Sequence, residues 1–293
     1  MNFRFSVNKK NTYKAVGLLC LAMSCLFSPV AKAQGDLLVT PKRIVFEGSK
    51  RSEELNLANI GKDTATFVIS FIQIKMKEDG GFEKITQPDS GQFFADKNIR
   101  FYPRTVTLAP NEAQTVKVQI TRTNQLAAGE YRSHLYFRAV PKEKPLGEKQ
   151  VEKDSSISVR LVPVFGISMP VILRVGESTA NVKFSNALVE IGKDQNPILK
   201  VTFNRAGNMS VYGDLSVNHV STDGKITPVG SVKGLAVYCP NATRQFKLML
   251  NNKAGINYNL GKLHLVYTDQ SSKQVKLAEE EFLLTEKAIT VAH

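Results

Sequence analysis

The sequence contains no tryptophan and only three cysteines and four histidines among its 293 residues. Three cysteines cannot build the framework of a small disulfide-rich domain. The histidines are scattered without metal-ligand spacing, and neither a glycine-rich phosphate loop nor a nucleophile elbow occurs. These absences argue against an enzyme, and we predict no catalytic residue, no metal and no cofactor.

Long apolar runs are also missing, except near the N-terminus. Residues 1–14 are basic, residues 15–31 are uncharged and apolar, and the small-residue site Ala31-Lys32-Ala33 follows. This order is typical of a secretory signal, which we predict to span residues 1–33. Two alternatives stay open: the apolar run is near the lower length limit of a membrane anchor, and Cys25 is a candidate lipoprotein site.

Signal cleavage changes the charge and the cysteine count. The formal net charge is +13, and five of these charges lie in the signal, which leaves +8 on the mature chain. Only Cys239 is left, so the mature chain has no partner for an internal disulfide. Because the basic residues form no dense run, we do not expect nucleic-acid binding. Acidic groups on a protein partner are the expected counterpart, and the exported chain is not expected to span a membrane.

Strand patterns dominate the mature chain. Alternating or β-branched runs are separated by polar turns, of which Asp223-Gly224 is the clearest hairpin signal. The sequence therefore predicts an all-β fold of two tandem immunoglobulin-like β-sandwich domains, at residues 34–165 and 166–293. Tyr131 follows a turn and begins a strand, where we expect a tyrosine corner that serves packing.

The segment 157–173 is unusual because every odd position in it is apolar. Fully extended, it would reach about 55 Å, which exceeds one ordinary strand. We therefore expect a domain junction within it, with breaks at Pro163, Gly166 and Pro170. A charged stretch, residues 141–154, precedes it. The pattern fits either a peptide-docking edge or a plain final strand of the first domain with its odd face buried.

Four stretches in the expected order resemble the periplasmic pilus (fimbrial) chaperones of Gram-negative bacteria, and they are closer to the archaic or alternative branch of that family. They read RIVFEG at 43–48, FYP through LAP and QTVKV at 101–118, GEYRSHL through RAVP at 129–141, and GNMSVYGD at 207–214. The resemblance covers most of residues 37–285.

This resemblance implies a function and an arrangement of the domains. The two immunoglobulin-like domains would form a boomerang, in the periplasm. The protein would bind and stabilise pilus subunits by donor-strand complementation and deliver them to an outer-membrane usher. The donor strand would be residues 155–163, with Ile157, Val159 and Leu161 as its apolar donors.

The resemblance also implies an anchor for the C-terminal carboxylate of the subunit. Arg43 matches the arginine that the family uses, and a charge-assisted hydrogen bond suits that role. The lysine of the family is absent, since Phe165 or Gly166 occupies its place. Arg132 and Arg160 are the candidates to replace it.

A secreted structural or adhesive protein of the cell surface, built from the same sandwiches, is the alternative function. Such a protein would carry a self-complementary extension at its N-terminus. The stretch Gly35–Thr40 is short and alternates weakly, which favours the chaperone interpretation.

Overall fold

The computed structural model describes residues 37–141, 164–192, 194, 196–252 and 255–284. Within these ranges the regular structure is almost entirely β-strand, with one short 3-10 turn at Asp96–Asn98. The all-β prediction is confirmed. None of the helical structure in these ranges is long and apolar enough to cross a membrane. The predicted signal, residues 1–33, lies outside them.

The first unit contains ten strands in two layers. One layer has the order β1-β3-β8-β6, and the other has the order β2-β10-β9-β4-β5, with β7 also paired to β4. With β1 as strand A, these layers carry the A-B-E-D and G-F-C orders of the immunoglobulin fold. The strands are β1 Leu37–Thr40, β2 Ile44–Phe46, β3 Ser52–Asn59, β4 Ala65–Met76, β5 Phe82–Ile85, β6 Ile99–Tyr102, β7 Thr105–Leu108, β8 Ala113–Ile120, β9 Gly129–Ala139 and β10 Gly166–Val175.

The second unit repeats this topology with seven strands. Its layers have the orders β11-β12-β15 and β14-β13-β16-β17, which correspond to A-B-E and to C′-C-F-G. The prediction of two tandem immunoglobulin-like sandwiches is therefore confirmed. The strands are β11 Asn181–Ile191, β12 Pro197–Ala206, β13 Val211–Val220, β14 Ile226–Val237, β15 Thr243–Met249, β16 Lys262–Asp269 and β17 Lys276–Leu283.

The boundary between the units differs from the one predicted after residue 165. Strand β10 pairs along its whole length with β9, from Gly166 opposite Arg138 to Val175 opposite Gly129. It therefore belongs to the first sandwich, and the second begins with β11. The alternating pattern concealed this boundary because it continues through the strand: Met169, Val171 and Leu173 enter the first core.

Each unit has its own apolar core, built from the inward-facing residues of both layers. In the second unit Phe203 packs edge-on against Phe184 and Tyr267, with ring centroids 5.0 and 5.3 Å apart. In the first unit the Tyr131 hydroxyl donates to the carbonyl of Ala127 at 3.2 Å. This bond to a carbonyl shortly upstream is the geometry of the expected tyrosine corner.

The two units meet through a small apolar cluster and through main-chain bonds. Met76 and Ile172 of the first unit pack with Ala236 and Tyr238 of the second. Beside the cluster, the Gln245 amide donates to the carbonyl of Glu78 at 2.7 Å. Because the second unit covers one end of β9, that strand is buried on both faces there. This end of β9 holds the buried charged residues Glu130 and Arg132.

Candidate functional site

Among the described residues, one edge of strand β10 is unpaired along its N-terminal half. On one side it pairs with β9, and on the other β2 reaches only Val171 to Leu173. The Ala139 amide donates to the carbonyl of Phe165 at 3.0 Å, so Gly166 and Ser168 turn their main-chain groups towards the open side. Both residues are exposed. Among the described residues, this edge offers main-chain groups that an added strand can bind.

Apolar side chains stand beside this open edge. Phe165 is 50% exposed and Ile167 is 38% exposed, and Val140 and Val164 close by are exposed as well. Phe165 and Ile167 continue the alternation of Met169 and Val171, whose side chains lie in the core. The inner face of the first sandwich therefore extends past its own core into solvent.

The predicted donor residues Ile157, Val159 and Leu161 fall outside the described residues, as does Arg160, one of the proposed carboxylate anchors. The three donors occupy odd-numbered positions, as Phe165 and Ile167 do, and alternate residues of an extended strand share one face. The donor strand therefore stays a prediction, while the described residues show that its immediate continuation is an exposed apolar edge.

The other two predicted anchors, Arg43 and Arg132, lie on the opposite face of the same sheet, which faces the second unit. Arg43 directly precedes β2, where Ile44 and Phe46 point into the core. Arg132 lies between Tyr131 and Ser133 on β9, so its side chain emerges on the outer face. The alternation of these two strands thus sends both arginines towards the second unit.

Both guanidinium groups lie over tyrosine rings of the second unit. The Arg43 Cζ atom is 3.8 Å from the centroid of the Tyr212 ring, and the Arg132 Cζ atom is 4.1 Å from that of Tyr238. The Nε and Nη1 atoms of both arginines are buried and have no hydrogen-bond partner in the part of the chain that the structure describes. Buried polar donors normally have partners, so these N–H groups have hydrogen-bonding capacity that the two units do not use.

The electrostatics around Arg43 and Arg132 favour an anion. Burial lowers the pKa of the Arg132 guanidinium; Glu130 opposes this shift, and the positive charge of Arg43 adds to it. The distance from Arg132 Nη1 to Glu130 Oε1 is 3.8 Å. That single carboxylate is also shared with other donors, so two close positive charges have too little negative charge around them. A bound carboxylate would supply it.

Glu130 links the two units through hydrogen bonds. Its carboxylate accepts hydrogen bonds from the Ser210 amide at 3.0 Å, from the Ser210 hydroxyl, and from Arg174 Nε at 3.3 Å. Arg174 also donates through Nη2 to the carbonyl of Ser210 at 2.9 Å. The side chain of Glu130 is 1% exposed. These contacts tie the start of β9 in the first unit to the start of β13 in the second.

His134 lies two residues beyond Arg132 on the same face of β9. Its ring packs against Phe82 with centroids 6.3 Å apart, and its Nδ1 atom is buried without a partner. Burial, with a smaller contribution from Arg132, lowers the pKa of His134 to about 3. The ring is therefore neutral near neutral pH, so the positive charge beside it comes from the arginines alone.

Several residues of the site were not predicted from the sequence. Tyr212 and Glu130 lie within the stretches that carried the family resemblance, but the partners that join them to the other unit, Arg43 and Ser210, are 80 or more residues distant. Phe165 and Ile167 belong to the alternating segment 157–173, and the predicted boundary after residue 165 placed them in different domains. Within the described ranges, no group of three histidine, cysteine or acidic residues is placed to hold a metal ion.

No family model matches the chain, and no curated protein matches it. Among solved structures, the chain is similar to the YadV chaperone, with 12% identity over 85% of this chain and 100% of that chain and a TM-score of 0.43. It is also similar to the Pseudomonas aeruginosa CupB2 chaperone, with 13% identity over 84% of this chain and 100% of that chain and a TM-score of 0.42. The E. coli chaperone DraB matches at 11% identity over 85% of this chain and 96% of that chain, with a TM-score of 0.41. At this level of similarity, these likenesses alone do not carry a function to the chain.

Proposed function

We propose that this protein is an exported, non-enzymatic chaperone that lends a strand to pilus subunits in the periplasm and passes them to an outer-membrane usher. The observation that carries the proposal is the open edge of β10. That edge combines unpaired main-chain groups with the exposed Phe165 and Ile167. Strand addition uses such an edge for affinity and alternate side chains for specificity.

The chemistry of the partner follows from this edge. A sandwich that lacks its last strand exposes an apolar groove and an unpaired edge, and it would aggregate in free form. A strand with apolar side chains at alternate positions fills the groove and pairs the edge. The predicted donors Ile157, Val159 and Leu161 would continue the contact begun by Ile167.

The two arginines that face the second unit supply the second contact in this proposal. Arg43 and Arg132 hold unpartnered N–H groups on the face of the sheet beside the second unit. A C-terminal carboxylate is an acceptor of the required charge and size. Strand pairing and carboxylate binding together would fix both the register and the end of the bound subunit strand.

Copurification with a defined variant tests this function. We expect the tagged chain to leave the periplasm in a 1:1 complex with a small exported β-sandwich protein. Replacement of Ile157, Val159 and Leu161 by aspartate should abolish the complex, because charged donors cannot enter an apolar groove.

Circular dichroism of the variant is the control. An unchanged spectrum with loss of the complex supports strand donation. An unfolded variant would mean that the strand is buried within this chain, and self-polymerisation without a second protein would support the structural or adhesive alternative.

A further inference from the structure

The proposed carboxylate site contains residues of both units. The first unit supplies the arginines, Arg43 beside β2 and Arg132 within β9. The second supplies Tyr212, near the start of β13, and Tyr238, directly after β14. Tyr238 also belongs to the apolar cluster that joins the units, and Tyr212 packs against that cluster. The guanidinium groups therefore rest on the surface that forms when the units dock.

A ring above a guanidinium constrains it in one direction only. The contact covers one face of the planar group and restrains its orientation. The N–H groups point outward in the guanidinium plane and are not used by the ring. In this structure the Nε and Nη1 donors of both arginines have no hydrogen-bond partner. The tyrosines thus orient the arginines without occupying their donors.

Holding two cations close together requires such support. The Arg43 charge adds to the lowering of the Arg132 pKa, and Glu130 lies 3.8 Å from only one Nη1 atom. Without a ring on its face, a long arginine side chain would turn away from the second cation towards water. The two rings keep both arginines in place before a ligand arrives, which reduces the ordering cost of binding.

We propose that Tyr212 and Tyr238 are positioning residues of the carboxylate site, through which the second unit sets the affinity of arginines carried by the first. This inference rests on the proposed function, since it concerns the same anchor. The site binds a carboxylate only while the units are docked, and by reciprocity an occupied site stabilises the docking. The ligand is either the C-terminal carboxylate of a subunit or an acidic side chain near its end.

The test compares one peptide in three forms on the mature chain. The probe is an acetylated octapeptide of alternating valine and threonine. It carries a free C-terminal carboxylate, a C-terminal amide, or an amide preceded by glutamate. The ratio of the acid affinity to the amide affinity measures the carboxylate contact alone, because strand pairing is common to both. The glutamate form separates a side-chain carboxylate from a terminal one.

We expect the acid form to bind more tightly than the amide. Tyr212→Leu and Tyr238→Leu should each lower the acid-to-amide ratio by about 2- to 30-fold, the range of one cation–π contact. The amide should bind both variants as it binds the unaltered chain. Tyr212→Phe and Tyr238→Phe keep the aromatic face and should preserve the ratio, and they also provide the test if a leucine variant fails to fold.

Two results would overturn the inference. One is an unchanged ratio in the leucine variants. The other is an equal loss of acid and amide binding, which would indicate a purely structural role for the rings. Both differ from failure of the anchor itself, in which the unaltered chain would bind the acid and amide forms equally.

Discussion

Aspartate at both Phe165 and Ile167 should weaken subunit binding by about 100-fold or more while leaving the chaperone folded. The two side chains are exposed in the free protein, so their replacement removes little of its core. In the proposed complex both become buried, and each apolar side chain lost from an interface forfeits about 1.5 to 3 kcal/mol. A charge placed in the groove adds a further desolvation cost.

The control for this pair is Ile226→Asp. Ile226 is 63% exposed and begins β14, at the end of that strand opposite the unit boundary. It should bind subunits as the unaltered chain does. Binding measured by titration of a purified subunit would contradict the account if the double variant and Ile226→Asp behaved alike.

Glu130→Ala should lower the free energy of unfolding by about 3 to 5 kcal/mol, the usual cost of removing one partner of a buried ion pair. The substitution leaves the Nε atom of Arg174 and the Ser210 amide without their acceptor at the unit boundary, and Arg132 without its nearest negative charge. It should also let the two units unfold in separate steps, since this carboxylate joins them.

Urea denaturation followed by circular dichroism measures this effect. The matched control is Glu53→Ala, which removes an acid that is partly exposed and paired with Lys50 at the surface. Such pairs contribute about 1 kcal/mol or less. Equal losses in the two variants would show that the Glu130 network does not hold the units together.

Strands and turns could be predicted from the sequence where the pattern of neighbouring residues determines them. The Asp223-Gly224 signal lies in the turn between β13 and β14, as expected for a hairpin. Strands β1, β5 and β6, each of four residues, were not predicted from the local pattern. The end of the first unit was misplaced because β10 pairs with β9 across 26 residues of intervening sequence, a contact that no local pattern records.

The candidate site was only partly predictable for the same reason. Arg43 was identified by resemblance and Arg132 as a candidate replacement for the missing lysine, and the structure brings both to the unit boundary. Their tyrosine partners lie more than 100 residues further along the chain. Since the orientation of one unit on the other sets these contacts, the sequence pattern of either unit alone could not have indicated them.

Hydrogen exchange at the edge of β10 tests the central claim most directly. In the free protein the amides of Gly166 and Ser168 face solvent, whereas Ile167 and Met169 already bond to β9. Binding of a subunit should slow exchange at Ser168 by about tenfold or more. The edges of the other layer, β1 and β6, should stay unchanged. A bound subunit that protects β1 or β6 and leaves Ser168 exchanging at its free rate would contradict strand addition at β10.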